Sequence, residues 1–97
     1  MTRIGYIGLG LIGGSIARAM KKFHPDYIQA AYSRTKATLD LAMKENVIDE
    51  ELTQYDPKFA DCDYIFLCAP VQTNLSYLPF LKKTAKPEAV ITDVGSV

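Results

Sequence analysis

The chain has 97 residues, which is enough for one small domain and leaves no room for a second. Hydrophobic residues make up 48% of it, and it contains no low-complexity tract or internal repeat, as is typical of a globular protein. Its eleven basic and eleven acidic side chains cancel, which argues against nucleic acid or an anionic membrane surface as a partner. No segment approaches the roughly twenty apolar residues that a membrane span requires.

The charges are distributed unevenly along the chain. Up to Lys36 there are six basic residues and one acidic residue, so this part carries +5 and the remainder −5. A positive field over this part of the chain, which would attract an anionic ligand, is one interpretation of this bias. A solvated helix face that carries Arg18, Lys21 and Lys22 is the other, and it is the one we favour.

Two features of the sequence, its cysteines and its amino terminus, indicate the cellular compartment of the protein. Cys62 and Cys68 are the only cysteines, and neither their number nor their spacing predicts a metal site or a disulfide framework. The glycine-rich amino terminus lacks the apolar core of a signal peptide. We therefore expect a reducing, cytoplasmic location.

A glycine-rich turn follows the first predicted strand, Thr2–Ile7. The sequence of the turn is Gly8-Leu9-Gly10-Leu11-Ile12-Gly13-Gly14-Ser15. In such a turn Gly8 allows a sharp reversal, Gly10 leaves room for a pyrophosphate, and Gly13 lets the next helix approach the sheet. A phosphate would then bind the free N–H groups of a helix that begins near Leu11. This segment therefore predicts a dinucleotide site.

The first predicted helix packs one face on the sheet and ends at Pro25. Apolar residues recur along it at spacings of three and four, the period of an amphipathic helix. These residues are Ile12, Ile16, Ala19, Met20 and Phe23. The second strand is predicted at Tyr27–Tyr32, with Ser33-Arg34-Thr35 as the turn that follows it.

Three further elements are predicted between residues 36 and 70. A helix over Lys36–Asn46 has Thr35 as its cap. The inner face of this helix consists of Leu39, Ala42, Met43 and Val47. A short third strand is predicted at Leu52–Tyr55. The fourth strand, Tyr64–Cys68, is apolar at consecutive positions, as in a parallel strand that helices cover on both faces, and it stops at Ala69-Pro70.

The last predicted elements are a helix over Thr73–Lys83 and a fifth strand over Ala89–Asp93. Pro79 is awkward within a helix because it lacks an N–H group. Either the helix begins late, with Ser76 as its cap, or it is kinked at Pro79. The alternation of strands and helices predicts a Rossmann-type α/β fold: a doubly wound parallel sheet with strand order 3-2-1-4-5.

Ligands bind such sheets outside the carboxyl ends of the strands, at the switch point between strands one and four. We therefore expect one crevice lined by the segments Gly8 to Gly13, Ser33 to Thr35, Ala69 to Gln72 and Asp93 to Ser96.

The end of the second strand predicts the cofactor to be NADP, with NAD as the alternative. An NAD site has an acidic residue there to bind the ribose 2′-hydroxyl, but this chain has Ser33. No carboxylate follows until Asp40, well into the next helix. A serine tolerates a 2′-phosphate, and the Arg34 guanidinium can pair with it or stack on adenine. The alternative is that Arg34 and Lys36 are ordinary exposed turn residues.

Three segments together resemble a known family. The Gly8–Ser15 turn, Ala69-Pro70-Val71 after the fourth strand and Thr92-Asp93-Val94-Gly95-Ser96-Val97 after the fifth are similar to the cofactor domain of prephenate and arogenate dehydrogenases, the TyrA family of tyrosine biosynthesis. The resemblance spans the whole chain. It implies oxidative decarboxylation: a hydride passes to the nicotinamide, carbon dioxide leaves and the ring becomes aromatic. Prephenate would give 4-hydroxyphenylpyruvate, and arogenate would give tyrosine.

The resemblance also implies roles for individual positions. The pyrophosphate turn corresponds to Gly8, Gly10, Leu11, Ile12 and Gly13. Ser33 and Arg34 correspond to the adenosine-ribose position, and Ala69, Pro70 and Val71 to the wall beside the nicotinamide ribose. Ser96 matches a serine that hydrogen-bonds near the reacting hydroxyl and its histidine base. Pro70 is equally well explained as a strand terminator. For Asp93 we favour a turn-forming or capping role over catalysis.

The chain departs from the family in one respect. The catalytic histidine and the substrate-binding arginine of the family lie beyond the position of Val97, and the only histidine here, His24, is predicted to lie on the surface. Residues 1–97 are thus expected to be the cofactor domain of a longer homodimeric enzyme, ending before its helical substrate and dimerisation domain. Alone they should bind the dinucleotide weakly and catalyse nothing.

Two alternatives stay open at this point. One is the cofactor domain of another 6-phosphogluconate dehydrogenase-like reductase, such as an imine or hydroxyacid reductase. The other is a freestanding module that senses the nucleotide and regulates a partner.

Overall fold

One five-stranded parallel sheet forms the centre of the structure, a computed structural model that describes residues 1–94. Its strand order is β3-β2-β1-β4-β5, which confirms the predicted topology. The carboxyl ends of β1 and β4 therefore diverge at a switch point. In chain order the elements are β1 (Arg3–Ile7), α1 (Leu11–Phe23), β2 (Ile28–Tyr32), α2 (Lys36–Lys44), β3 (Glu50–Glu51), a 3₁₀ turn (Pro57–Asp61), β4 (Tyr64–Leu67), α3 (Val71–Thr84) and β5 (Val90–Asp93).

Both faces of the sheet carry a hydrophobic core. On one face Ile4 and Tyr6 of β1 pack with residues of α1 and α2. On the other face Ile7 packs with the 3₁₀ turn and with Tyr77 and Leu81 of α3. These two layers hold β1 rigidly, because its residues are almost fully buried from Ile4 onward. Among residues 1–94 no helix has the length and apolar character needed to traverse a bilayer.

The buried face of α1 differs from the predicted one. Gly13 and Ala17 are the buried residues, with Ile16 and Met20 half-buried beside them. Ile12 and Phe23, which the pattern placed inside, are 44% and 71% exposed, and Ala19 is exposed as well. The reason is the close approach of α1 to the sheet: small residues four positions apart form the contact, and larger side chains are displaced to its margins.

The β2–α2–β3 region needs two boundary corrections. α2 ends at Lys44, two residues early, because Asn46 adopts a left-handed φ of 58° and the amides of Asn46 and Val47 donate back to α2 carbonyls. On this helix Met43 is 38% exposed, contrary to the prediction. β3 is Glu50–Glu51 rather than Leu52–Tyr55, so the edge strand is short and charged.

The second half of the chain needs corrections at β4 and α3. β4 ends at Leu67, which leaves Cys68 in the loop, and Tyr64 is 43% exposed, so helices do not cover both faces of this strand. α3 begins at Val71, so the late start is wrong. Pro79 lies inside the helix, at the loss of one main-chain hydrogen bond. Ser76 is not a cap, since its hydroxyl donates to the Thr73 carbonyl oxygen at 2.7 Å.

A buried polar network ties the α1 and α2 layer to the sheet. The Tyr6 hydroxyl donates to Oε1 of Gln29, whose side chain is fully buried. Nε2 of Gln29 donates to the carbonyl oxygens of Ala17 at 2.9 Å and Val47 at 2.8 Å. Every polar atom of the amide is therefore paired, which fixes α1 and the segment after α2 relative to β2.

Candidate nucleotide-binding cleft

The turn between β1 and α1 depends on glycine at Gly8. This residue has a φ of +90°, a conformation that L side chains rarely adopt. A Cβ atom there would also lie 2.7 Å from the Ala69 nitrogen. The Gly8 amide donates to the Tyr32 carbonyl oxygen at 2.7 Å. Gly8 therefore brings together the carboxyl ends of β1, β2 and β4.

Gly13 and Gly10 have opposite surroundings. A Cβ atom on Gly13 would lie 2.6 Å from the Gly8 carbonyl oxygen and 3.1 Å from Cβ of Cys68, so only glycine permits this contact between α1 and the loops. Apart from its two neighbours in the chain, a Cβ atom on Gly10 would meet no atom of residues 1–94 within 4 Å. The main chain at Gly10 is thus open to whatever occupies the cleft.

The N-terminus of α1 lacks the usual means of satisfying its amides. Gly10 occupies the N-cap position, no side chain caps the helix, and no acidic residue lies in its first turn. The amide of Gly14 is the first to bond within the helix, to the Gly10 carbonyl oxygen at 2.7 Å. The N–H groups of Leu11, Ile12 and Gly13 precede it and have no helical acceptor. Together with the helix dipole they form a position at which an anion can accept hydrogen bonds.

The cleft at the switch point has a volume of about 390 Å³. Three of the four predicted segments meet there, around Gly8, Ser33 and Ala69. Its lining consists of Gly8, Leu9, Gly10, Tyr32, Ser33, Arg34, Thr35, Thr38, Cys68, Ala69, Pro70 and Thr73. The fourth segment contributes nothing to this lining up to Val94, and Ser96 lies outside the described residues.

Some predicted residues lie beside the cleft, and some lining residues were not predicted. Leu11 lines an adjoining groove of about 240 Å³ between α1 and α2, which shares Leu9, Gly10 and Thr38 with the cleft. Val71 is exposed at the start of α3. The sequence reasoning missed Tyr32 and Cys68, which adjoin predicted positions. It also missed Thr38 and Thr73, each one helical turn beyond a predicted loop residue, a spacing that could have identified them.

Arg34 supplies the positive charge of the cleft. It is exposed, and it forms no ion pair or hydrogen bond with any residue between Met1 and Val94. In contrast, Arg18 and Lys21 of α1 pair with Glu45 and Asp49, which supports the interpretation of these cations as a helix face. Among residues 1–94, those that line the cleft include no carboxylate, and Glu51 lies in the depression beside it. An anionic ligand within the cleft would therefore meet the free guanidinium of Arg34.

A second depression adjoins the cleft at the turn between β2 and α2. This side pocket has a volume of about 410 Å³ and shares Tyr32, Ser33 and Arg34 with the cleft. Its other lining residues are Lys36, Leu39, Glu51, Leu52, Thr53 and Gln54. Thr35 occupies the N-cap position of α2, but its hydroxyl makes no capping bond; its amide donates to Oγ of Ser33 at 3.4 Å.

Lys36 is held by two carboxylates at the side pocket. Its Nζ lies 2.7 Å from Asp40 and 3.0 Å from Glu51. These hydrogen bonds, that to Asp40 foremost, raise the pKa of Lys36 above its ordinary value. Asp40 lies inside α2, as the sequence predicted, whereas the nearness of Glu51 follows from the β2–β3 pairing and no motif signals it.

A buried asparagine fixes the wall formed by the β4–α3 loop. Asn74 is 3% exposed, and its side chain accepts from the Ala69 amide at 3.2 Å and donates to the Ala69 carbonyl oxygen at 2.8 Å. The main-chain amide of Asn74 donates to the Pro70 carbonyl oxygen at 3.0 Å. Asn74 was not predicted; an asparagine in the first turn of a helix after a proline is a weak signal for this clamp.

The remaining polar candidates contribute no base to the cleft. Burial, with the nearby charge of Asp93, raises the pKa of the Cys68 thiol to about 11, so it stays protonated at neutral pH. Asp93 is exposed at the end of β5. His24 follows α1, is exposed and stacks on Tyr27 with ring centroids 4.4 Å apart, which confirms its surface position.

The parallel sheet, its switch-point cleft and the glycine turn under an uncapped helix define a Rossmann-type nucleotide-binding domain. Residues 16–97 match the family described as "Prephenate dehydrogenase, nucleotide-binding domain". The chain belongs to this family, as the resemblance predicted.

Individual relatives agree with this assignment. The chain is 33% identical over 94 residues to a cyclohexadienyl dehydrogenase of Zymomonas mobilis, covering 97% of this chain and 32% of the relative. A prephenate dehydrogenase from A. aeolicus, in complex with hydroxyphenyl propionate and NAD+, superposes with a TM-score of 0.88 at 27% identity, covering 100% of this chain and 34% of that one. For an arogenate dehydrogenase of Synechocystis the TM-score is 0.85 at 33% identity, covering 99% and 34%. The chain spans 24% to 32% of the length of the curated relatives it matches.

Proposed function

We propose that residues 1–97 are the dinucleotide-binding domain of a longer oxidoreductase, a prephenate or arogenate dehydrogenase of tyrosine biosynthesis. The family membership and the names of the relatives support this proposal. The resemblance further supports a cytoplasmic homodimer as the form of the longer protein. The dinucleotide, when bound, supplies the acceptor for a hydride.

One observation carries the proposal: the space over Gly10 adjoins three amides that no side chain caps. A pyrophosphate is an anion of the right kind to accept from the N–H groups of Leu11, Ile12 and Gly13. The open space above Gly10 is the cradle that a side chain would fill. A capping Ser or Asp at this position would stabilise α1 slightly more than glycine does, so Gly10 leaves the amides open at a small cost in stability.

The turn between β2 and α2 supports NADP as the preferred cofactor. A 2′-phosphate at Ser33 would accept a hydrogen bond from its hydroxyl and would face the free guanidinium of Arg34. Among residues 1–94 no carboxylate lines the cleft at this turn to bind the ribose 2′-hydroxyl of NAD in the usual way, and Glu51 in the adjoining side pocket is paired with Lys36.

The chain's own contribution to the reaction is to bind and orient. The β4–α3 loop, held by Asn74, presents Ala69 and Pro70 as a rigid wall to the cofactor. We assign Ser96 a hydrogen bond near the reacting hydroxyl, on the family resemblance alone. The single histidine, His24, does not line the cleft, so we propose that the base comes from another part of the longer protein.

Calorimetric titration of the purified chain with NADP+ and NAD+ tests the proposal. We expect binding of both, with NADP+ the tighter. Gly10→Ala should weaken both by about tenfold or more, because its methyl group enters the cradle. Gly14→Ala is the matched control: its Cβ atom would lie 3.7 Å from the Leu9 carbonyl oxygen, an ordinary contact outside the cleft.

Three results would contradict the proposal. Binding of neither dinucleotide, or equal binding by Gly10→Ala and the native chain, would remove the pyrophosphate site. Reduction of NADP+ or NAD+ by the chain with prephenate or arogenate, followed by absorbance at the nicotinamide band, would show that no further base is required.

A further inference from the structure

The side pocket contains a lysine, Lys36, that already forms ion pairs within the chain. Nζ of Lys36 lies 3.0 and 3.1 Å from the two carboxylate oxygens of Glu51, and this lysine, Glu51, Ser33 and Arg34 line the same depression. Asp40, the second partner of Lys36, does not line it. Of the two acids that pair with Lys36, Glu51 is therefore the one that shares a pocket with Ser33, where a 2′-phosphate would lie.

The two acids of β3 have separate partners. Glu50 pairs with Arg3 and Lys58, away from the side pocket, whereas Glu51 pairs with Lys36. Adjacent residues of a strand point to opposite faces of the sheet, which accounts for this separation. Lys36 has a flexible four-carbon stem and is 71% exposed, so its ammonium can exchange one anionic partner for another.

We propose that Glu51, acting through Lys36, sets how strongly the domain discriminates NADP from NAD. This inference rests on the proposed function. A 2′-phosphate at Ser33 and Arg34 competes with the Glu51 carboxylate for the Lys36 ammonium. Glu51 thereby lowers the affinity for NADP, while the ribose 2′-hydroxyl of NAD carries no charge and gains little from Lys36. Glu51 is a specificity-determining residue, and Lys36 is the group through which it acts.

The experiment measures the ratio of NADP+ to NAD+ affinity in four proteins by calorimetry at low salt. Glu51→Gln should raise the ratio by about threefold, the size expected for an exposed ion pair, and Lys36→Gln should lower it by a similar factor. In the double variant the Glu51 change should have no effect, because the partner through which it acts is gone. Glu50→Gln, the matched control, should leave the ratio unchanged. The effect of Glu51→Gln should shrink at high salt, where exposed charges are screened.

The outcomes separate this inference from the proposed function. An unchanged ratio in Glu51→Gln, or an equal rise in the Lys36→Gln background, would contradict the inference while leaving dinucleotide binding intact. An equal rise in Glu50→Gln would assign the effect to general charge and also contradict it. Failure of the native chain to bind NADP+, NAD+ and adenosine 2′,5′-bisphosphate would overturn the proposed function, and the inference with it.

Discussion

The two turns that reach the cleft from β1 and β2 are built on different physical grounds. At the first turn, main-chain distances decide: Gly8 and Gly13 have backbone neighbours closer than a Cβ atom tolerates. The second turn instead consists of side chains that have room to change partners: Arg34 and Lys36 are exposed, and Ser33 is half-buried. Steric constraints admit one residue type, whereas exposed charges admit several. In the proposed function, the first turn therefore identifies the class of ligand, and the second tunes which member of the class binds.

The largest effect that this comparison predicts is at Gly13. Gly13→Ala places a methyl carbon 2.6 Å from the Gly8 carbonyl oxygen, a main-chain atom that cannot rotate away. We expect the free energy of unfolding to fall by about 3 kcal/mol, as for an overpacked buried site. Urea denaturation followed by circular dichroism measures the change.

Gly14→Ala is again the control for this substitution. It lies one residue further along α1, where a Cβ atom has an ordinary contact, and exchanging glycine for alanine within a helix stabilises it by up to about 1 kcal/mol. Equal stability of the two variants would show that α1 can move away from the sheet at little cost, and the contrast between the two turns would then be lost.

Asn74 extends the comparison to the β4–α3 loop, the third segment that lines the cleft. Here a buried side chain fixes the main chain, as the close glycine contacts do at the first turn. Asn74→Ala removes the partners of both the amide and the carbonyl group of Ala69, in a place that is closed to solvent. The expected loss is about 2 kcal/mol of unfolding free energy, the cost of leaving buried polar groups unpaired.

Gln72→Ala provides the reference for Asn74, since Gln72 is exposed in the first turn of the same helix. It should change the stability by less than about 0.5 kcal/mol. If both variants lose the same small amount, water replaces the Asn74 amide and the β4–α3 wall is not held by this side chain.

The sequence predicted the features that backbone geometry dictates. The spacing of Gly8, Gly10 and Gly13 and the alternation of strands and helices led to the correct strand order and the correct end of the sheet. The prediction failed where contacts between residues distant in the sequence determine the structure. The buried face of α1 follows from its closeness to the sheet, which periodicity does not reveal, and β3 follows from pairing with β2 rather than from local propensity. Glu51 could not be placed beside Lys36 for the same reason: it lies fifteen positions further along the chain.

The smallest expected effect on stability, with a clear effect on binding, belongs to Ser33. Ser33→Asp changes a residue of the β2–α2 turn and should alter the unfolding free energy by less than about 0.5 kcal/mol. Its carboxylate would repel a 2′-phosphate and accept from the ribose 2′-hydroxyl of NAD, so NADP+ affinity should fall by about tenfold and NAD+ affinity should rise.

Ser33→Ala, which removes the hydroxyl without adding charge, is the control. It should weaken NADP+ binding less than Ser33→Asp does and should leave NAD+ affinity unchanged. Tighter binding of NAD+ than of NADP+ by the native chain, or the same ratio of affinities in Ser33→Asp, would contradict the assignment of this turn to the 2′-phosphate. The contrast between a sterically fixed turn and an electrostatically tuned one would then hold only for the first turn.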